Sequence, residues 1–290
     1  MRPTLTLIAI LTLLGTFWGG YALADCIQDP VSYWTLDESG SPYANDILAA
    51  SPGNCTSPSC PTLTTDGDYI VTGAQSFDGV DDGINVANVD SAVFDIQAAN
   101  SSFSIGVWFK RTADAAWNGD QNEVLVGRYV TSTTHFWVGL QNQTGYAAFR
   151  LWDADMFGSH DAGMIIGTTN IADGQWHHIL AVRDSETEKN ILYVDGVQEG
   201  ELTVTYSGTF SADEPMTFGS MDNQYFFNGN IDELYYFNEA VTPTNAGLIY
   251  DAGLAGNSIC SGNHSPVITS AAPTTASVGA EYSYKPAATD

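Results

Sequence analysis

Short segments in which apolar and polar residues alternate, separated by clusters of Gly, Asn, Asp and Ser, fill the chain from Val31 to Asn238. Alternation with a period of two is the pattern of half-buried antiparallel strands. In the segment Phe103–Lys110, one face carries Phe103, Ile105, Val107 and Phe109. The other predicted strands span residues 69–77, 123–129, 135–141, 146–152, 176–182, 191–194, 197–205 and 231–238. The chain is therefore predicted to consist mainly of β-strands.

Turn and helix signals refine this fold class. The pair Asp195-Gly196 separates two of the predicted strands and favours a tight hairpin, since both residues tolerate a positive φ. One stretch alone is predicted to be helical: Thr242 is a suitable N-cap, Pro243 suits the first turn and Gly253 is a stop signal. Many strands followed by one short helix predict an all-β, two-sheet antiparallel jelly-roll sandwich.

The first residues have the features of an export signal. Arg2 precedes the apolar run Leu5–Phe17, and the small-residue triplet Ala22-Leu23-Ala24 follows it. This pattern predicts a signal peptide over residues 1–24, because the apolar run is shorter than the ~20 residues that a spanning helix needs. The mature chain is therefore expected to be secreted or displayed on the cell surface, without membrane insertion. A lipid anchor on Cys26 is disfavoured because Asp25 precedes it.

The charge balance restricts the class of partner. The sequence has 34 acidic and 8 basic residues, for a formal net charge of −26. A chain this acidic repels nucleic acids and anionic membranes, so neither is an expected partner. Its carboxylates suit a medium rich in divalent cations, although most surface acids are merely solvated.

Four cysteines follow the predicted signal peptide, an even number that favours two disulfides in an exported protein. Three pairings exist. Cys55 and Cys60 bracket a turn-rich stretch, which leaves Cys26 to join Cys260 near the two ends of the core, and this is the pairing we predict. A zinc site is the alternative, but the sequence lacks the Cys-x-x-Cys spacing that would support it.

The composition changes after Cys260. Residues 261–266 have the turn-forming composition of a linker. Residues 266–284 resemble the opening strands of the immunoglobulin-like domains that recur in tandem on large exported bacterial proteins. Such a domain needs roughly a hundred residues. We therefore expect a core domain over residues 25–260, then a linker and an incomplete immunoglobulin-like domain over residues 261–290 of a longer modular protein.

Six segments between about residues 31 and 253 carry a more specific resemblance. They are Tyr33–Glu38, Ser76–Asp82, Phe103–Phe109, Asp173–His178, Leu192–Gly196 and Phe227–Glu233. In this order they resemble the successive landmarks of the laminin-G-like, or concanavalin A-like, jelly-roll family. The resemblance implies a module that binds carbohydrate, protein or matrix, often with a calcium ion at its rim, and that frequently accompanies enzymes without being catalytic itself.

The resemblance also implies a set of calcium ligands. Carried over to this chain, the family's ligands are Asp46 and Asp232, with Asp37 and the Gly79 carbonyl as weaker candidates. The chain departs from the family in an insertion at residues 49–61, which puts the position of the Asp46 loop in doubt. A purely solvated acidic surface is the alternative.

Aromatic and amide residues supply the ligand-binding candidates. Glycan sites stack aromatic rings on sugar faces and hydrogen-bond sugar hydroxyls through Asn and Asp. Trp34, Phe77, Trp176 and Tyr193 are expected to lie in the core. The candidates for ligand contact are Trp117, Asn118, Trp137, Trp152, Asn223 and Tyr225.

The acidic residues do not make a convincing catalytic pair. Retaining glycosidases need two carboxyls about 5–5.5 Å apart. Asp153 and Asp155 share a strand face but lack a Glu acid, whereas Asp232 and Glu233 are adjacent and point opposite ways. The sequence therefore predicts a non-catalytic module that recognises carbohydrate or extracellular surface components within a larger protein. The alternatives are a protein-binding adhesion module in a tandem array and, less favoured, a polysaccharide-degrading enzyme.

Overall fold

The computed structural model describes residues 26–45, 47, 51–87, 101–119, 121–129, 135–153, 163–208, 210, 214–260, 267–268 and 288–289. The predicted signal peptide lies outside these residues, as does Asp46. The strands are β1 (Ser32–Trp34), β2 (Gly53–Asn54), β3 (Thr62–Thr64), β4 (Ala74–Asp78), β5 (Ile84–Val86), β6 (Phe103–Arg111), β7 (Glu123–Tyr129), β8 (His135–Leu140), β9 (Tyr146–Trp152), β10 (Met164–Asn170), β11 (Trp176–Asp184), β12 (Lys189–Val194), β13 (Val197–Thr203), β14 (Met216–Phe218), β15 (Asn228–Phe237), β16 (Val267–Ile268) and β17 (Ala288–Thr289). The helix α1 spans Pro243–Leu254.

Two antiparallel sheets form the sandwich. The eight-stranded sheet has the order β13-β12-β11-β6-β15-β4-β3, with β1 also paired to β15, and the seven-stranded sheet has the order β10-β9-β8-β7-β14-β5-β2. This architecture confirms the predicted all-β jelly-roll sandwich. The hairpin predicted at Asp195-Gly196 is also present, with φ values of 49° and 74°. Near the C-terminus β16 pairs with β17, and the immunoglobulin-like assignment stays a prediction.

The core between the sheets consists of alternating inward side chains of both sheets. Strand β6 buries Phe103, Ile105, Val107 and Phe109 in this core, as the alternation predicts. Trp34 packs edge-on against Phe218 of the opposite sheet, with ring centroids 5.1 Å apart. Each such aromatic side chain stabilises the fold by roughly 1.5–3 kcal/mol through burial. The inner faces are thus fully used for packing, and ligands are left with the outer faces and the rims.

Helix α1 covers the outer face of the eight-stranded sheet. Thr242 caps it by accepting a hydrogen bond from the Asn245 backbone N–H at 3.2 Å. Tyr250 stacks on Trp108 of β6 with ring centroids 5.4 Å apart, and Gly253 lies so close that a Cβ there would come within 2.5 Å of the Trp108 ring. Among the described residues, no helix is long and apolar enough to cross a membrane.

Both predicted disulfides are present. Cys26 is bonded to Cys260 and Cys55 to Cys60, which confirms the predicted pairing and leaves no free cysteine in the chain. The long-range bond joins the two ends of the core domain beside α1, where Cys260 packs against the apolar cluster beneath the helix. The short-range bond closes a loop that follows β2.

Candidate binding face and cation sites

One row of side chains crosses the outer face of the seven-stranded sheet. Residues directly opposite each other on paired strands lie on the same face of a sheet, and the strand registers connect the row from edge to edge. In order, its members are Asn54, Asn85, Thr217, Gly127, Trp137, Arg150 and Met164. The row therefore has a polar end on β2, β5 and β14 and an aromatic and basic end on β8 and β9.

The aromatic end contains two of the predicted ligand-binding residues. Trp137 lies on the outer face but is only 3% exposed, because it packs in an apolar cluster with Met221. Gly127 makes this packing feasible, since a Cβ there would lie 3.1 Å from the Met221 sulfur. This burial argues against the ligand contact that was predicted for Trp137. Trp152 is partly exposed, and the Arg150 guanidinium lies 4.6 Å from its ring centroid.

A tight turn presents the predicted Asn223 to solvent. Met221 and Gln224 exchange two backbone hydrogen bonds of 3.0 Å. The two residues between them, Asp222 and Asn223, have φ values of 55° and 51°. Positive φ at both central positions is the signature of a type I′ turn, which Asp and Asn adopt more readily than other non-glycine residues. Both side chains are exposed above the sheet.

The remaining predicted residues lie beside this turn. Tyr225 is half-buried against the Trp137 cluster. The loop that carries Trp117 and the exposed Asn118 is joined to the turn by a side-chain hydrogen bond of 3.1 Å between Gln121 and Gln224. The Arg111 guanidinium lies 4.1 Å from the Trp117 ring centroid, and the ring also packs against the main core. These loops adjoin, but the rings of Trp117 and Tyr225 are largely committed to packing.

A polar groove extends from the turn across the polar end of the row. It consists of two adjoining cavities of about 150 and 330 Å³, both lined by Asn85, Thr217 and Asn223. The smaller cavity is completed by Tyr129, Glu214, Pro215 and Asp222. The larger is completed by Thr56, Ser59, Asp81, Gly83, Ser220 and Phe226. Sequence reasoning identified Asn223 but missed Asn85 and Thr217, which lie on strands of only three residues.

The predicted calcium ligand Asp232 is a buried carboxylate on β15. One of its oxygens, Oδ2, accepts hydrogen bonds from the backbone N–H groups of Ile70 at 2.8 Å and Val71 at 3.1 Å. Within the described ranges its other oxygen, Oδ1, is buried and has no hydrogen-bond partner. Burial, together with the nearby charge of Asp37, raises the pKa of Asp232 to about 7. A cation beside Oδ1 would supply the missing partner, so Asp232 and Asp37 fit a calcium ion.

Gly79 does not share this position. Asn228 pairs with Asp78 and Ile231 pairs with Gln75, so Gly79 lies beyond one end of the β4–β15 pairing and Asp232 beyond the other. Asp232 is level with Ala74, five residues from Gly79, so at about 3.3 Å per residue the separation along the strand is about 17 Å. The expectation that the Gly79 carbonyl joins Asp232 at one ion is therefore wrong.

A second acidic group lies in the turn around Gly79. The carboxylates of Asp78, Asp81 and Asp82 have oxygens within 4.8 Å of one another and could hold a metal ion. Asp82 is 7% exposed, and burial raises its pKa. The Ser59 hydroxyl donates to Asp81 at 2.8 Å, which connects this turn to the loop closed by Cys55 and Cys60. The acids thus form two separate groups rather than one.

The carboxyls of Asp232 and Glu233 are held by different partners. Glu233 has a φ of 49°, at an irregularity in the pairing of β15 with β6. Its carboxylate accepts a hydrogen bond from the Tyr33 hydroxyl, whose ring packs in the cluster beneath α1. Asp153, the other acid considered for catalysis, is buried and accepts backbone hydrogen bonds from Ser207 and Gly208. Asp155 lies outside the described residues.

Comparison with solved structures shows related folds. The binding domain of Paraclostridial Mosquitocidal Protein 1 superposes with a TM-score of 0.59 at 13% identity, over 77% of this chain and 52% of that one. The botulinum neurotoxin serotype G binding domain gives 0.57 at 13% identity, over 77% and 50%. The chain thus spans about half the length of these toxin domains. Domain 4 of AbnA, a GH43 extracellular arabinanase from Geobacillus stearothermophilus solved in complex with arabinotriose, gives 0.54 at 18% identity, over 77% and 98%.

Comparison at the level of sequence places the chain in a family. No curated protein matches it. The sequence model of a laminin G family, described as the concanavalin A-like lectin/glucanases superfamily, matches residues 78–246. This match covers more than half of the 290 residues, and it includes β5 to β15 and the groove residues Asn85, Thr217 and Asn223. The chain therefore belongs to the concanavalin A-like lectin/glucanase superfamily.

Proposed function

We propose that the chain is an exported, non-catalytic binding module that recognises carbohydrate on extracellular surfaces, as part of a larger protein. The observation that carries this proposal is that only one of the two outer faces of the sandwich is covered. Helix α1 covers one face, whereas the other presents exposed amide and hydroxyl groups and partly exposed aromatic rings around a groove. These are the groups with which proteins hydrogen-bond and stack on sugars. The arabinotriose complex of the similar arabinanase domain is consistent with this use of the fold.

A glycan-array screen of the chain, in calcium and in chelator, tests the proposal. We expect retention of a defined class of oligosaccharide. Incubation of each retained glycan with the chain should leave it intact, because a binding module releases its ligand unchanged. A screen without any retained glycan would contradict carbohydrate recognition, and cleavage would contradict a non-catalytic role.

Protein binding is the second candidate. It is favoured by the similarity to toxin binding domains and by the predicted immunoglobulin-like segment, which would place the module in an adhesive array. A chain that bound deglycosylated cell-surface protein, and no glycan on the array, would support this candidate instead.

We also propose a structural calcium ion held by Asp37 and Asp232, with Asp46 as a third predicted ligand. The support is the buried Oδ1 of Asp232 and the proximity of a second carboxylate. The ion would neutralise both charges and bind β15 to the loop after β1. Its loss should lower the melting temperature of the chain in chelator. Asp232→Ala should abolish this response and Asp81→Asn, in the separate acidic turn, should not. An equal calcium response in wild type and Asp232→Ala would contradict the site.

A further inference from the structure

We propose that the polar groove between the Cys55–Cys60 loop and the Asp222-Asn223 turn is the glycan-binding subsite, and that it selects uncharged oligosaccharides. This inference rests on the proposed function and specifies its place and its ligand class. The groove lies at the polar end of the row on the seven-stranded sheet, on the face opposite to that covered by α1.

The floor of the groove carries exposed side-chain amides that can hydrogen-bond a ligand. Asn85 on β5 and Asn223 in the turn are exposed. None of the hydrogen bonds among the described residues uses either side-chain amide. Each amide offers two donors and an acceptor, which is the combination that pairs with the vicinal hydroxyls of a sugar. The hydroxyl of Thr217, which also lines both cavities, already donates to the backbone carbonyls of Gly127 and Ser220. The two asparagines therefore supply the recognition.

The size and ends of the groove suit more than one sugar ring. The larger cavity, at about 330 Å³, reaches the range of small-molecule sites, and the smaller cavity of about 150 Å³ continues from it past the shared asparagines. Tyr129 is among the residues that line the smaller cavity, with its ring partly buried against the Trp137 cluster, and Phe226 is among those that line the larger. One partly exposed aromatic ring in each cavity thus provides a surface for stacking on a sugar face.

The charge of the lining selects against acidic sugars. Asp81, Asp222 and Glu214 line the two cavities, whereas none of the described residues that line them is Lys, Arg or His. Carboxylates at these positions repel the carboxylate or sulfate of an acidic glycan and accept hydrogen bonds from neutral hydroxyls. The complementary ligand is therefore an uncharged oligosaccharide.

One side of the groove is lined by the Cys55–Cys60 loop, which lies in the segment 49–61 that was predicted to be an insertion relative to the family. Thr56 and Ser59 belong to the loop that the Cys55–Cys60 disulfide closes. The Ser59 hydroxyl donates to Asp81, and its carbonyl accepts from the Gly83 backbone N–H at 3.4 Å. The loop is thus fixed against the turn that carries Asp81 and Gly83.

The test is a binding comparison on glycan arrays, followed by affinity measurement with the retained glycan. The variants are Asn85→Ala and Asn223→Gly, since glycine keeps the positive φ of the turn. The matched controls are Asn257→Ala, an exposed asparagine after α1, and Gln143→Gly, an exposed turn residue with a φ of 60°. Losing one net hydrogen bond should weaken binding about two- to tenfold in each groove variant. The controls should bind like wild type, and melting curves check that every variant is folded.

The outcomes separate this inference from the proposed function. Retention of an uncharged glycan that both groove variants weaken, and both controls leave unchanged, supports the groove. Retention of an uncharged glycan with equal affinity in all variants overturns the groove but leaves the proposed function standing. Retention of acidic glycans alone overturns the charge selection. An array without any retained glycan overturns both.

Discussion

Replacing Asp232 by Asn removes one buried charge while keeping the shape of the side chain. The carbonyl of the new amide can still accept the hydrogen bonds from Ile70 and Val71 that the carboxylate accepts now. Its NH₂ group occupies the position of the buried Oδ1. The variant therefore isolates the free energy of holding a carboxylate at this place in the fold.

The size of this free energy follows from the pKa of Asp232. Burial and the charge of Asp37 raise the pKa of Asp232 from 3.8 to about 7, so ionising this group inside the folded protein costs about 4 kcal/mol. Between pH 4 and 7 the folded state holds more protons than the unfolded state, and the free energy of unfolding falls as the pH rises. Without calcium, wild type should lose up to about 4 kcal/mol between pH 4 and 7 through this group and level off above pH 7.

Urea unfolding, followed by tryptophan fluorescence at several pH values in chelator, measures this difference. Asp232→Asn should be more stable than wild type at pH 8 in chelator, and the difference should shrink towards pH 4. Saturating calcium should reverse the order at pH 8, because the ion binds only the carboxylate. If the difference between the two proteins does not change with pH in chelator, the buried carboxylate is not destabilising and the reasoning fails.

Three further predictions concern stability. Removing the Cys26–Cys260 disulfide, which spans 234 residues, should cost about 5 kcal/mol, whereas removing Cys55–Cys60, which spans 5, should cost about 2 kcal/mol in urea unfolding; equal losses would contradict the loop-length argument. Gly253→Ala should destabilise the chain by about 1–3 kcal/mol because its Cβ meets the Trp108 ring, and Gly247→Ala, which meets nothing within 4 Å, should not lower the melting temperature. Burial opposes protonation of His177, but hydrogen bonds to Asp195 and Asp173 outweigh it and raise the pKa of His177. Wild type should therefore be more stable than His177→Gln, with an advantage that is complete below about pH 6.5 and disappears at higher pH. An advantage independent of pH would refute this ion pairing.

The long strands and tight turns could be predicted because their signals are local. Strands β7 and β9 have the predicted bounds, and the Asp195-Gly196 turn needs nothing beyond its own two residues. The strand predicted at residues 69–77 begins only at Ala74. Its expected first residues instead supply the backbone N–H groups of Ile70 and Val71 to Asp232, 162 and 161 residues away. No local pattern contains that contact.

Only part of the site could be predicted, because only part of it depends on local sequence signals. Asn223 was found because polar turn residues stand out in the sequence. Asn85 was missed because β5 has three residues, too few to show alternation, and its position is defined by its pairing with β14 and β2. The face of Trp137 followed from the alternation of β8, whereas its burial depends on Met221 from a distant turn. The separation of Gly79 from Asp232 likewise depends on the pairing register of β4 with β15, which no local pattern contains.

Nuclear magnetic resonance of the side-chain amides tests the central claim most directly. The chain is titrated with the uncharged oligosaccharide that the array retains, and the NH₂ resonances of Asn85, Asn223 and Asn257 are followed. We predict saturable shifts for Asn85 and Asn223 with one dissociation constant and an unchanged resonance for Asn257. Binding that leaves the Asn85 and Asn223 amides unperturbed would show that sugar recognition takes place elsewhere on the molecule and would contradict the account.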